Sequence, residues 1–119
     1  MCSEQAGHLV SKLFDIIDSG HWNGLDRVFT DDCVYERPGY PPLRGLNALR
    51  QFYAEERIIA EGKHLVERVV GDSDSAACWG TFTGISRSGD QLAEEFADTF
   101  LIVDGRIRYR KTFFYRPAI

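Results

Sequence analysis

No run in these 119 residues is long and apolar enough to cross a membrane as a helix. The apolar stretch over residues 9–17 is broken by Lys12 and Asp15, so it does not read as a secretory signal either. Cysteine is scarce: Cys2, Cys33 and Cys78 are three, an odd number, and too far apart for a metal-ligand motif or a disulfide framework. That pattern predicts a reduced, cytoplasmic protein with no metal. An excess of basic residues is missing as well. Fourteen Lys and Arg face eighteen Asp and Glu, giving a net charge of -4, which argues against nucleic acid as the main partner. Repeats, linkers and low-complexity segments are absent, so residues 1–119 read as one domain. A hydrophobic content of 44% is ordinary for a folded globule and supplies its core.

What is present is clearest over residues 94–115, EEFADTFLIVDGRIRYRKTFFY. It reads as two antiparallel strands joined at Asp104-Gly105, a strong hairpin signal. Phe96, Asp98, Phe100 and Ile102 alternate onto one face, and Ala97, Thr99, Leu101 and Val103 onto the other. Both faces are apolar, which predicts that both are covered and that Asp98 is a buried carboxylate. An unpaired buried charge costs several kcal/mol, so Asp98 needs a partner or a shifted pKa. A two-residue loop sets Asp98 opposite Lys111; a three-residue loop with Gly105 left-handed sets it opposite Arg110. The apolar pattern alone favours the first, because Arg106, Arg108 and Arg110 then face solvent.

Upstream, Leu9, Val10, Leu13, Phe14, Ile16 and Ile17 recur at helical spacing, with Gly20 as a stop. A second short helix is expected through Leu25, Val28 and Phe29, a turn at Thr30-Asp31-Asp32, and a short strand over residues 33–37. Pro38, Gly39, Pro41 and Pro42 make a rigid loop. A third helix is expected over residues 46–61, ended by Gly62. Strands over 64–70, 76–85, 92–103 and 106–116 complete a meander. Helices first and a meander after is an α+β layout. The expected shape is a cone-shaped barrel, with three N-terminal helices closing a strongly curved, mostly antiparallel sheet around a small-molecule pocket.

This order of elements, with the segments IIDSGHWNGLDRVFTDDCVYE, RGLNALRQFYAEE and FADTFLIVDGRI, resembles the nuclear transport factor 2-like superfamily, and most of all its ketosteroid isomerase and SnoaL-like polyketide cyclase branches. The resemblance covers nearly the whole chain. It implies that Asp98 occupies the position of the isomerases' oxyanion-hole aspartic acid and Tyr53 that of a supporting tyrosine. Arg37 stands where those enzymes place the general base, before Pro38, and Leu13 replaces their first-helix tyrosine. Thr112 stands where limonene epoxide hydrolase-like members carry an aspartate. The resemblance also favours the three-residue turn, which turns Arg110, Thr112 and Phe114 toward the pocket beside Asp98.

The expected catalytic residues are Asp98, Arg110 and Glu36; the base is Asp98, Glu36 or His64. Arg37 and Arg110 are expected to anchor an enolate or carboxylate, since a guanidinium binds such groups bidentately. Tyr35, Tyr53, His64, Trp79, Phe96, Thr112 and Phe114 complete the expected ligand-binding set, Trp79 as a pocket wall or a dimer contact. The implied activity is cofactor-independent proton transfer next to a carbonyl (cyclisation, isomerisation or dehydration) on a small hydrophobic, carbonyl-containing, polyketide-like metabolite. A non-catalytic binding or dimerisation module of the same fold, or an epoxide-opening enzyme, are the alternatives. A homodimer through Leu101, Val103, Tyr109, Phe113 and Tyr115 is also implied.

Overall fold

The structure is a computed structural model and describes residues 3–116. Helix α1 (Ser3–Ser19) buries Val10, Leu13, Phe14 and Ile17 on one stripe and leaves Lys12 and Asp15 in solvent. It stops at Gly20, whose φ of 76° admits the left-handed turn. There the amides of Gly20 and His21 bond back to the carbonyls of Ile17 and Ile16, a Schellman cap. A 3-10 turn (Trp22–Arg27) leads into strand β1 (Phe29–Glu36), followed by the proline loop, the two-residue strand β2 (Leu43–Arg44) and helix α2 (Leu46–Gln51). A single π-helical turn (Phe52–Glu56) ends the helical segment. Strands β3 (Ile59–Gly71), β4 (Ser75–Ser86), β5 (Gln91–Val103) and β6 (Arg106–Phe114) then form the meander.

The six strands make one sheet in the order β2-β1-β6-β5-β4-β3, antiparallel except for β1 beside β6. It curls over α1 and α2 without closing. The β3–β4 register shifts between Val66 and Arg68, a bulge of the kind that bends a strand. Gly80 lies opposite Val66, and a Cβ there would run into the Leu65 carbonyl. At Gly62 a Cβ would strike the Phe82 ring. Close approach of strand to strand, rather than positive φ, is what these glycines permit.

Three expectations are corrected. The third helix does not run to residue 61: it ends at the π turn, Arg57 is extended, and Gly62 lies inside β3 rather than at a helix stop. Pairing with β4 wins over the helical pattern, because the Ile58 carbonyl accepts from the Arg87 amide at 2.7 Å and Ile59 pairs with Ser86. Thr30-Asp31-Asp32 is not a turn. It lies within β1, where Asp31 and Asp32 face solvent and Cys33 and Tyr35 face the core.

The third correction concerns the hairpin. Its loop has two residues, with φ of 52° at Asp104 and 79° at Gly105, as a type I′ turn requires. Val103 pairs with Arg106 and Ile102 with Ile107, but Leu101 pairs with Tyr109. The extra residue, Arg108, is a β-bulge that flips the rest of β6. Asp98 therefore lies directly opposite Thr112, and neither expected register holds. The consequence matches the resemblance all the same: Arg110 and Thr112 point inward while Lys111 points to solvent.

Among the described residues, no helix is long and apolar enough to cross a membrane, and no group of three His, Cys, Asp or Glu is placed to hold a metal ion.

Candidate functional site

Five buried polar residues, Arg37, Arg57, Asp98, Arg110 and Thr112, lie at or directly behind one cavity. Asp98 on β5 has no exposed surface and is fully engaged. Its Oδ2 accepts from Arg110 Nη2 at 2.9 Å and Nε at 3.2 Å, and its Oδ1 accepts from Thr112 Oγ1 at 2.5 Å. Burial alone works against the charge on Arg110, but Asp98 outweighs it, helped by Tyr35 and Tyr53, and holds the guanidinium well above its ordinary pKa. A pair in this setting persists as an ion pair.

From Asp98 the hydrogen bonds run outward in one direction. A carboxylate can only accept, so Thr112 donates to it; Tyr35 must then donate to Thr112, at 2.7 Å, and its oxygen accepts from Arg37 Nη1 at 3.3 Å. On the other side Arg110 Nη1 donates to the Tyr53 hydroxyl at 2.8 Å. Burial pushes the Tyr53 pKa up to about 12, against the pull of Arg110. Tyr53 thus keeps its proton, and that O–H donates to no protein group among the described residues.

Beside this network lies His64, on β3. Its Nδ1 is 2.6 Å from Asp18 Oδ1, and its backbone amide donates to Asp18 Oδ2 at 2.9 Å. With Asp18 as the acceptor the ring proton sits on Nδ1, which leaves Nε2 bare. The ring stacks on Phe14 at 4.4 Å and meets Phe96 edge-on at 5.3 Å, so it is fixed in place. Burial pulls the His64 pKa below its ordinary value, against the opposing pull of Asp18, with the positive charge of Arg110 adding to the drop.

These groups share one small cavity. Tyr35, Arg37, Tyr53 and His64 line it, as do Phe96, Arg110, Thr112 and Phe114. Eight of the residues picked from sequence are therefore brought together. The other three do not reach it. Asp98 lies behind Arg110 and Thr112. Glu36 alternates outward from Tyr35, opposite Lys111 on the outer side. Trp79 is 40% exposed on the outer face between buried Cys78 and Gly80, so it is no pocket wall.

Two residues were missed: Asp18, which orients His64, and Arg57, which lines the cavity and is 5% exposed. Each had a faint signal. Asp18 falls four residues after Phe14 and Arg57 four after Tyr53, both on apolar stripes. The cavity leaves about 20 Å³ for the centre of a water-sized sphere, room for roughly one or two waters. Cys33 and Cys78 are free and buried, their thiols pushed up to about 11 and about 12 by burial, and neither lines the cavity; Cys2 lies outside the described residues.

The sequence pattern of the SnoaL-like domain matches residues 10–110. No curated protein sequence matches the chain. Among solved structures, a candidate SnoaL-like polyketide cyclase from Jannaschia Sp. CCS1 superposes with a TM-score of 0.80 at 17% identity, over 96% of this chain and 88% of that one. A LEH-like epoxide hydrolase from M. tuberculosis gives 0.80 at 19% identity, over 94% and 84%. A candidate ketosteroid isomerase from Kribbella flavida DSM 17836 gives 0.77 at 24% identity, over 98% and 84%. At these identities the likeness is one of fold.

Proposed function

The chain belongs to the SnoaL-like domain family, within the nuclear transport factor 2-like superfamily, and from that membership we propose that it is a cofactor-independent enzyme moving a proton next to a carbonyl. The observation that carries this reading is the pairing of Asp18 with His64 on the wall of the cavity that Arg110 and Tyr53 also line. His64 is the acid–base group. Its Nε2 takes a proton from the carbon beside the carbonyl, the C–H electron pair becomes the enolate double bond, and the carbonyl oxygen gains the negative charge. That oxygen meets the Tyr53 O–H, which Arg110 polarises, and the guanidinium of Arg110 itself. Return of the proton to a second carbon completes an isomerisation; in a cyclisation the enolate carbon attacks a second carbonyl, whose π pair moves onto its oxygen, and that alkoxide takes the proton held by His64. Asp98 is a positioning residue that fixes Arg110, and Asp18 one that fixes the His64 tautomer.

The natural ligand is a small hydrophobic carbonyl compound of polyketide-like type, and the active form is a cytoplasmic homodimer packed through the outer sheet face. Epoxide opening fits less well, because Thr112 spends its hydroxyl proton on Asp98 and no carboxylate lines the cavity. The small cavity favours a second reading, a binding module without turnover.

Deuterium incorporation separates the two readings. Small ketones and 1,3-dicarbonyl compounds are incubated with the protein in heavy water, and exchange next to the carbonyl is followed by NMR. The enzyme reading predicts protein-dependent exchange that falls roughly 100- to 10,000-fold in His64→Gln. Exchange that His64→Gln leaves intact removes His64 from the chemistry, and its absence across the panel favours the binding module.

A further inference from the structure

Arg57 is a buried cation that no carboxylate among the described residues pairs with directly. Its Nε has no hydrogen-bond partner, and no carboxylate pairs with its guanidinium. Asp98 is committed to Arg110 and Asp18 to His64. Burial and the like charge of Arg37 lower the Arg57 pKa, partly resisted by Tyr53, Tyr35 and the more distant charge of Asp18. Leaving a desolvated charge unpaired is costly, and a mobile arginine swings to solvent to avoid it. Arg57 is instead held. Its guanidinium lies 5.1 Å from the Tyr53 ring and 5.4 Å from that of Trp22. Its amide bonds to the Phe52 carbonyl across the π turn, and its own carbonyl accepts from Arg87 Nε at 2.7 Å. Three guanidinium groups, on Arg37, Arg57 and Arg110, thus line a cavity whose lining contains no Asp or Glu.

We propose that the Arg57 end of this cavity binds the anionic group of the ligand, a carboxylate carried by the small carbonyl compound. That the anion belongs to a substrate rests on the functional reading above; the binding itself does not depend on His64 transferring a proton. The cavity, with room for roughly one or two waters, is of the size of a carboxylate group. The planar fork of arginine suits such a group, and the approach of the anion gives Nε a hydrogen-bond acceptor.

The test follows the Arg57 Nε–H resonance by nitrogen-15 NMR during titration with acetate, with acetamide as the neutral isostere and sodium chloride at matched ionic strength. A saturable shift with acetate alone is expected. A shift no larger than that with chloride, or one equalled by acetamide, overturns the proposal. In Arg57→Gln the acetate affinity falls by about tenfold or more, and the ligand-free variant melts higher than the parent because the unpaired charge is gone. Unchanged acetate affinity in that variant overturns the proposal. If Arg57→Gln does not fold, the titration of the parent protein decides alone. The two readings fail separately: an acetate response without deuterium exchange on any ketone removes the enzyme and keeps the anion site, whereas exchange on neutral ketones without an acetate response does the reverse.

Discussion

At the scale of single residues, the proposal gives the proton transfer to His64, one of the three expected bases, and makes Asp98 a positioning residue. Alternation between Phe96 and Phe100 made the burial of Asp98 legible in the sequence, and a cation beside it was readable too. That the carboxylate is saturated was not readable, because Thr112 reaches it only through the bulge at Arg108. Asp98→Asn is expected to leave Arg110 buried with a neutral partner and to cost about 3–5 kcal/mol, measured by chemical denaturation; an equally stable variant contradicts the positioning role. His64 has its own pH signature. Its folded-state pKa lies below the ordinary value of 6.5, so between those two values the unfolded chain binds more protons than the folded one. Its contribution to stability is flat above about 6.5 and is lost as pH falls from there toward the depressed folded value. Relative to His64→Gln, the parent protein should therefore lose stability more steeply below about pH 6.5.

At the scale of elements, α1 was read correctly because its apolar residues recur at 3.6-residue spacing and a glycine in the left-handed region ends it. Leu13 has no exposed surface, so Leu13→Ala should cost about 2–5 kcal/mol in denaturation. The segment after α2 was misread for the same reason that α1 succeeded. Its stripe continues through Ile58 and Ile59, and local pattern cannot report that β4, distant in sequence, pairs with this segment and makes Ile59 the start of the edge strand β3. Strand β2 escaped notice because two residues carry no period. In β3 and β4, Gly62 and Gly80 sit where a ring or a neighbouring strand comes too close for a side chain. Gly80→Ala drives a methyl group into the Leu65 carbonyl, which is backbone and cannot swing aside. A loss of about 1–3 kcal/mol is expected, again by denaturation.

On the scale of the whole molecule, the sheet has two faces with different fates. The inner face covers the core and the cavity. The outer face carries Leu65 at 62% exposure and Leu101 at 53%, with Trp79, Val103 and Phe113 also exposed. Large apolar side chains gathered on one exposed sheet face suit an interface, and the proposed occupant is a second copy of this chain. Sedimentation should show a dimer at tens of micromolar. Leu101→Glu places a charge on that face and should give a folded monomer. A parent protein that sediments only as a monomer contradicts the dimer.

The central claim is that a neutral imidazole, oriented by Asp18, presents a bare nitrogen to a cavity lined by cations. Nitrogen-15 NMR of the His64 ring tests it most directly. At about pH 7 the account predicts a neutral ring with its proton on Nδ1, protonating only below the ordinary histidine range. A doubly protonated ring at that pH, or a neutral ring carrying its proton on Nε2, would contradict it.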